Sequence, residues 1–571
     1  MTAGTHERER TVGLSHTASG RPIPSAWRRA DRRLREDPRL GWAAGLAVTL
    51  LGFVLRIWDL GRPHAFEFDE TYYAKDAWSL LHFGYARNYV DDADRHILAG
   101  VTTGQWQSTP EMIVHPDVGK WLIAIGEKLF GMDPFGWRIV PCIVGSLMIL
   151  VLIRFVRRLT RSTLLGVVAG LLMCFDGLQF VLSRLALLDI FDAFFILLAV
   201  HCMVADRDWC RRRMARSVSS YEREVRLGPV RRLLFRPWLL AAGVSWGLGL
   251  GSKWDAVYPL AAFGVLYLAW SIGMRRSFGV RRAWLKAPVV DGIPAFLHLV
   301  VVALVVYVAT WIPWMVHAHA YEQSLSSTQY TQYTGKGHCE GTTFVPDDPD
   351  TSRRWPTATE PDAHGLGEAW QSLRSLWYYH RDVYTFHTHF LTCATHTYAS
   401  QPSGWLLLNR PVGVAADTGI KPGTQGCHAA RGDTCLRQVL LLGTPALWWG
   451  SCLAAIAALV LWIGARDWRF GVAIVGIAST WLPWLAYADR PIFSYYTIAT
   501  LPFLVLASTL VIGRMIGPER TPSARRTLGV VAGGAFVVLV IANFAWFWPI
   551  YTDQLLTHSE WLDRIWFSRW I

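Results

Sequence analysis

The run Phe66-Glu67-Phe68-Asp69-Glu70-Thr71-Tyr72-Tyr73-Ala74-Lys75-Asp76-Ala77-Trp78 sets the carboxylates Glu67, Asp69 and Glu70 among aromatic rings. A positioned carboxylate can take a proton from a hydroxyl, which is a poor nucleophile at neutral pH. Beyond Thr71, residues Tyr73, Ala77, Leu80 and Leu81 recur at helical spacing. That pattern predicts an amphipathic helix lying on a membrane surface, with the carboxylates at its N-terminal end. Negative charge is favoured there, so Asp69 could equally serve as a helix cap. Adjacent carboxylates point in different directions on a helix, and only one of the pair can readily act as a base.

These residues need a scaffold, and the composition says what kind. The chain has 571 residues, 52% hydrophobic and 17% charged, with 30 Trp. A soluble protein would carry about a quarter charged residues. Apolar runs of about 18 or more residues recur, each able to cross a hydrocarbon core roughly 30 Å thick. The fold class is therefore all-α and polytopic, with about 11 transmembrane helices. The net charge of +13 does not point to nucleic acid, because most arginines sit in short loops between apolar runs, as the positive-inside rule requires.

Loop charges orient the chain. Expected spans cover 42–58, 137–155, 164–182 and 190–204, then two flanking Gly251-Ser252-Lys253-Trp254-Asp255. Five more follow at 293–314, 447–463, 470–487, 498–515 and 528–548. Arg154, Arg157, Arg158 and Arg161 mark an inner end, whereas residues 59–133 carry twelve acidic and six basic residues and belong outside. The expected organisation is a cytoplasmic basic tail (1–40), a catalytic transmembrane core (41–315) and a large extracytoplasmic segment (316–445). C-terminal helices (446–549) and an outer tail (550–571) complete it, and the first outer loop (59–136) carries the acidic motif. The N-terminal tail lacks an apolar stretch and is not a cleavable signal peptide. Its Arg28, Arg29, Arg32, Arg33 and Arg35 either enforce topology or rest on anionic lipid.

In the stretch His115-Pro116-Asp117-Val118-Gly119-Lys120-Trp121-Leu122, Pro116 starts a second helix, and Lys120 is expected at the interface, snorkelling or touching a lipid phosphate. Cys339, Cys393, Cys427 and Cys435 lie in the large outer segment, an oxidising compartment by this topology. Three pairings are possible, and the preferred one joins Cys427 to Cys435 and Cys339 to Cys393. The tract His380, His387, His389 and His396 suits a structural or acceptor-lining role better than metal ligation, because His387 and His389 are poorly matched on either a helix or a strand. Asp176 and Asp192 fall within spans without an evident role and keep a transporter reading open.

The two loop stretches, in this order, resemble the protein O-mannosyltransferases, glycosyltransferases of the membrane-embedded C-type fold. Ser183-Arg184 with Leu187-Leu188-Asp189, and Gly249-Leu250-Gly251-Ser252-Lys253-Trp254, extend the resemblance. So do His396-Thr397-Tyr398-Ala399-Ser400, Trp405-Leu406-Leu407-Leu408-Asn409-Arg410-Pro411 and Asp489-Arg490-Pro491-Ile492-Phe493-Ser494-Tyr495-Tyr496. The Arg-rich composition and compact outer segment look most like the actinobacterial branch.

The resemblance implies inverting transfer of mannose from polyprenyl-phosphate mannose to Ser or Thr hydroxyls of secreted or membrane proteins, outside the cell membrane. Asp69 is then the expected base and Glu70 its helper, orienting acceptor or donor. The lipid-phosphate leaving group calls for cations rather than an acid. Arg184, Lys253 and Arg490 are the first candidates, unless they are tied in ion pairs with Asp189, Asp255 or Asp489. Lys120, Arg138, Tyr495 and Tyr496 complete the expected donor side, although Arg138 could instead pair with the acidic loop. His115, His396 and Trp254 are expected to line the acceptor path. Neither metal nor cofactor is expected, since the donor has no diphosphate. Partners would be the lipid-linked donor, Ser/Thr-rich secretory polypeptides, membrane lipids and the secretion translocon. A related C-type enzyme acting on a lipid, or with another sugar, is the alternative.

Overall fold

The computed structural model describes residues 38–220, 233–326, 355–388, 390–517 and 523–571. The five tail arginines, Cys339 and His389 lie outside the described residues, and so does the expected Cys339–Cys393 pairing.

The chain opens with α1 (Pro38–Ile57) and α2 (Glu70–Phe83), followed by the antiparallel strands β1 (Arg87–Tyr89) and β2 (Trp106–Pro110). Next come α3 (Val118–Phe130), α4 (Pro134–Thr160), α5 (Thr163–Cys174), α6 (Gly177–Leu182), α7 (Asp189–Ser220) and α8 (Pro237–Leu250). A turn leads into α9 (Val257–Ser277), then the long helix α10 (Ala283–Thr310) and α11 (Leu366–Thr388). Strands β3 (Val412–Ile420) and β4 (Cys435–Leu441) precede α12 (Pro445–Ala465), α13 (Trp468–Trp481), α14 (Leu501–Ile516) and α15 (Ala524–Tyr551). Finally β5 (Leu556–Thr557) completes an antiparallel sheet in the order β3-β4-β5.

Among the described residues, seven helices are long and apolar enough to cross a membrane, which makes this a multi-pass membrane protein. They are α1, α4, the stretch Trp254–Ser277, α10, α12, the stretch Trp468–Tyr487 and α15; α5, α8 and α14 are apolar but shorter. Local signals set their ends. Asp133 caps α4, its carboxylate accepting from Gly136 N at 2.8 Å, with Pro134 in the first turn. The core is continuous, and α7 runs through it, packed on α4, α8 and α9. Where α8 meets α10, Gly243 lies so close to the His298 carbonyl that a Cβ would sit 1.8 Å from the oxygen.

Three expectations need correction. The span expected over 164–182 is two helices, because Asp176 interrupts it. Its carboxylate accepts from Gln179 N (2.9 Å), Thr444 N (3.1 Å) and Trp448 Nε1 (2.7 Å), capping α6 and tying it to α12. A mid-span charge with no mechanistic place is thus a helix joint. The helix expected over 293–314 begins ten residues earlier, at Ala283. Last, α2 does not lie on a surface: it packs against α3 with Tyr73, Ala74, Lys75, Asp76, Ala77 and Leu80 buried. Its polar positions tolerate burial because Lys75 pairs with Asp94 (2.5 Å) and Asp76 with Lys120 (2.9 Å).

The segment 316–445, expected to lie outside, contributes α11 and the β3–β4 pair among its described residues. Cys427 and Cys435 are disulfide-bonded as preferred, and β5 stitches the C-terminal tail onto β4.

Candidate active site

A cavity of about 680 Å³ opens at the end of the bundle remote from Arg154 and Arg158. Its walls come from the N-terminal end of α2, the segment before α3, the α8–α9 turn, the end of α11 and the stretch before α14. Asp69, His115, Lys253, Trp254, Arg490 and Tyr496 all line it, although they span more than four hundred residues of sequence.

Asp69 precedes α2 but does not cap it: its side chain makes no cap hydrogen bond. Phe68 before it has φ of 53°, a left-handed conformation that phenylalanine rarely adopts. The Phe68 ring is held edge-on by Phe493 (5.5 Å), Tyr495 (5.9 Å) and His396 (5.8 Å). That aromatic socket offsets the backbone cost and fixes where Asp69 projects. Among the described residues one hydrogen bond reaches the carboxylate, from Tyr73 Oη to Oδ2 at 3.3 Å. Burial and the nearby Asp189 push Asp69 up to about 6, against the opposing pull of Lys253 and the Tyr73 hydroxyl. A carboxylate in that range is ionised at neutral pH yet basic enough to accept a proton.

Glu70 is placed differently from expectation. It is fully buried, with Arg138 donating Nε to Oε1 at 2.8 Å and Nη2 to Oε2 at 2.6 Å. Backbone N–H groups of Glu67 (3.0 Å) and Ala186 (2.9 Å) satisfy the same carboxylate. Arg138 also donates to the carbonyls of Pro63 and Ala65. Neither residue is among those lining the cavity: Arg138 pairs with the acidic loop, the alternative left open for it, and Glu70 is its partner. The divergence of adjacent carboxylates is as expected; what sequence hid is that the second is an anchor.

The cations sort in the same way. Arg184, expected at the donor, is buried and donates to the carbonyls of Arg56 (2.8 Å), Trp58 (2.5 Å) and Asp59 (3.1 Å), away from the cavity. Lys120, expected at the lipid interface, is instead buried between Asp76 (2.9 Å) and Asp117 (3.3 Å) in the cavity wall. Lys253 pairs with Asp189 at 2.7 Å and lies 4.1 Å from the Tyr496 ring centroid. Burial opposes its charge, but Asp189 and Tyr496 outweigh that and keep it protonated. Arg490 differs: among the described residues its guanidinium makes no ion pair and has only a 3.4 Å contact with His387 Nδ1. Its Nε is buried without a hydrogen-bond partner.

Tyr496 lines the cavity, whereas Tyr495 is packed behind it against Phe493 (5.7 Å) and does not. His115, His396 and Trp254, expected along the acceptor path, line the cavity. Burial, with the charges around it, drives His115 well below the usual imidazole range, and burial with Arg490 pushes His387 down to about 4, so both are neutral. Asp192, the other mid-span acid, is buried in α7 with Oδ1 unpartnered. Sequence reasoning missed Asp76, Glu111, Tyr258 and Tyr487 in the wall, whereas His387 belongs to the histidine tract expected in a structural or acceptor-lining role. Asp76 carries a signal, lying seven residues after Asp69 on one helical face; nothing in sequence singles out the others.

Residues 46–325 match the family described as dolichyl-phosphate-mannose-protein mannosyltransferase. Residues 372–570 match the C-terminal four-transmembrane region of protein-O-mannosyltransferase. A polyprenol-phosphate-mannose–protein mannosyltransferase of Mycobacterium tuberculosis is 34% identical over 94% of this chain and 92% of its own length. The Mycolicibacterium smegmatis protein of the same name is 35% identical over 94% of each chain. The fold is that of an S. cerevisiae protein O-mannosyltransferase in a complex bound to the sugar donor, with TM-score 0.66 at 13% identity over 98% of this chain and 95% of that one.

Proposed function

This chain belongs to the dolichyl-phosphate-mannose–protein mannosyltransferase family, and from that premise we propose that Asp69 takes the proton of an acceptor hydroxyl as it attacks C1 of mannose. The enzyme transfers mannose from polyprenyl-phosphate mannose to protein. In this reading the acceptor is a Ser or Thr side chain. Its proton passes to Asp69, the new bond forms at C1, and the C1–O bond breaks with its electron pair going to the phosphate. A single displacement inverts the anomeric centre.

The carrying observation is that a carboxylate poised near 6 shares one cavity with Arg490, a guanidinium without an ion-pair partner among the described residues. A departing lipid phosphate gains negative charge, and the guanidinium fork fits its oxygens. The basic side chains of Arg154, Arg157 and Arg158 stand at the other end of α4, which supports a site on the extracytoplasmic face of the cell membrane. The phosphate leaving group needs a cation in this reading, and neither a metal nor a cofactor.

The experiment supplies membranes with polyprenyl-phosphate mannose and a Ser/Thr-rich secretory peptide. Wild type should yield mannosyl peptide and Asp69→Asn should not. Silence from both, with a mannosylated lipid accumulating instead, would overturn the protein acceptor.

A further inference from the structure

The fold buries α2, the helix expected to lie along a membrane surface, and α11 carries that pattern instead. With about 100° between successive residues, Leu366, Trp370, Leu373, Trp377 and Tyr384 fall within about 60° of one another, along about 27 Å of helix. All five are exposed, at 92%, 62%, 36%, 72% and 57%. The opposite face is buried through Ser375, Leu376, Tyr379, Asp382 and Val383. An exposed apolar row of this length marks a surface that meets a membrane or another molecule.

The flanks of the row decide between these. On one flank, His380 and His387 rest on residues at the ends of membrane-crossing stretches. The His380 ring stacks on Trp254 at 5.5 Å, and its Nε2 accepts from Tyr307 Oη at 2.5 Å. His387 meets Trp254 edge-on at 6.2 Å. Trp254 opens the stretch Trp254–Ser277, and Tyr307 lies in the last turn of α10. On the far side of α11, Asp382 accepts from Trp355 Nε1 at 2.7 Å and Ser375 donates to Glu322, partners beyond the spans. The row therefore points sideways and towards the bilayer, at the depth where the spans leave it. Trp and Tyr favour that depth. Arg374 and Arg381 border the row on the flank away from the histidines, the headgroup side. A convex ridge with its backbone groups taken up in a helix suits a fluid surface better than an extended polypeptide, which needs a groove or a free strand edge.

We propose that the α11 row inserts into the leaflet at the cavity end of the bundle and holds the cavity mouth at headgroup depth. Tyr384 joins the two features, since it ends the row and also lines the cavity. So do Val257 and Tyr258, from the first turns of a membrane-crossing stretch, and Val257 is 45% exposed. A donor whose phosphate sits among headgroups then reaches the cavity without leaving the bilayer.

Photocrosslinking tests the seat directly. Trp370 or Trp377 is replaced by p-benzoylphenylalanine, and the full chain is reconstituted in vesicles of phosphatidylcholine and phosphatidylglycerol. Irradiation should give lipid adducts at both positions, and none with the same group at Thr418, exposed on β3. Adducts to peptides of this chain in place of lipid overturn the proposal, and so does a lipid yield no higher than at Thr418. No turnover is needed, so this outcome is independent of which acceptor the enzyme uses. Kinetics test the consequence. Trp370→Ser/Leu373→Ser/Trp377→Ser should raise KM about tenfold for a long-chain polyprenyl donor embedded in vesicles. With a short-chain donor dispersed in detergent the variant should turn over like wild type, which also shows that it folds. A rise in peptide KM alone would place the acceptor on the row and overturn the membrane seat, and an unchanged KM for the embedded donor would overturn the positioning role.

Discussion

Arg138 grips the Glu70 carboxylate through two hydrogen bonds, at 2.8 and 2.6 Å, with neither side chain exposed. Sixty-eight residues apart, they lock the start of α2 to α4. Removing one partner strands a buried charge, so Glu70→Ala or Arg138→Ala should cost about 3–5 kcal/mol. Arg138→Lys should rescue little, because an ammonium cannot make the fork. Thermal unfolding of the detergent-solubilised enzyme reads this, and an unchanged melting temperature would refute it.

Asp69→Asn should behave in the opposite way. Among the described residues only one long hydrogen bond holds the carboxylate, and an amide oxygen can accept it too. Stability should change by less than about 1 kcal/mol, while kcat falls about 10²–10⁴-fold. Paired melting and single-turnover measurements separate this variant from those at Glu70.

The same carboxylate sets a pH limb. Asp69 is pushed up to about 6 by burial and Asp189, and it works as a base only when ionised. kcat/KM should therefore be flat above that value and fall as pH drops through it. Tyr73→Phe removes a hydrogen bond to the ionised form, so its midpoint should move to higher pH. A midpoint near 4 in both proteins would point to a different base.

Arg490 and Arg184 should separate cleanly. Arg490→Ala should raise donor KM tenfold or more, on the scale of a lost charged hydrogen bond at about 1.5–3 kcal/mol, with Arg490→Lys intermediate. Arg184→Ala should leave donor KM unchanged and lower stability, since it abolishes three hydrogen bonds to backbone carbonyls. A donor effect at Arg184 equal to that at Arg490 would contradict the assignment.

Chelation offers a further check. If charge on the departing phosphate is met by Arg490, transfer in EDTA-washed membranes should match untreated membranes. Loss of activity restored by a divalent cation would show that the guanidinium is insufficient.

Much of this architecture is legible in sequence, because membrane spans announce themselves by length and flanking charge. Residues 42–58 and 447–463 match α1 and α12 to within a few positions. Errors arise where a polar side chain answers to distant partners. Asp176 splits a span by capping α6, and Thr444, just before α12, and Trp448, within it, donate to the same carboxylate. Lys120 and Arg184 read as surface cations because their partners, Asp76 in one case and the carbonyls before Leu60 in the other, lie on other elements. Asp69 was legible as a carboxylate among aromatics at a membrane exit, yet its separation from Glu70 depends on Arg138. Glu111 had no signal at all, being a lone acid after a short strand.

The last strand, β5, bears on biogenesis. A chain made and inserted from its N-terminus produces β3 and β4 four helices before Leu556 and Thr557 exist. Until α15 has threaded the bilayer, the Cys435–Leu436 edge stands open to any passing strand, and the final turn of synthesis closes it. Pairing of β5 thus acts as a completion mark: a nascent chain stalled before residue 550 should be cut near β4 by added protease, and the finished enzyme should resist.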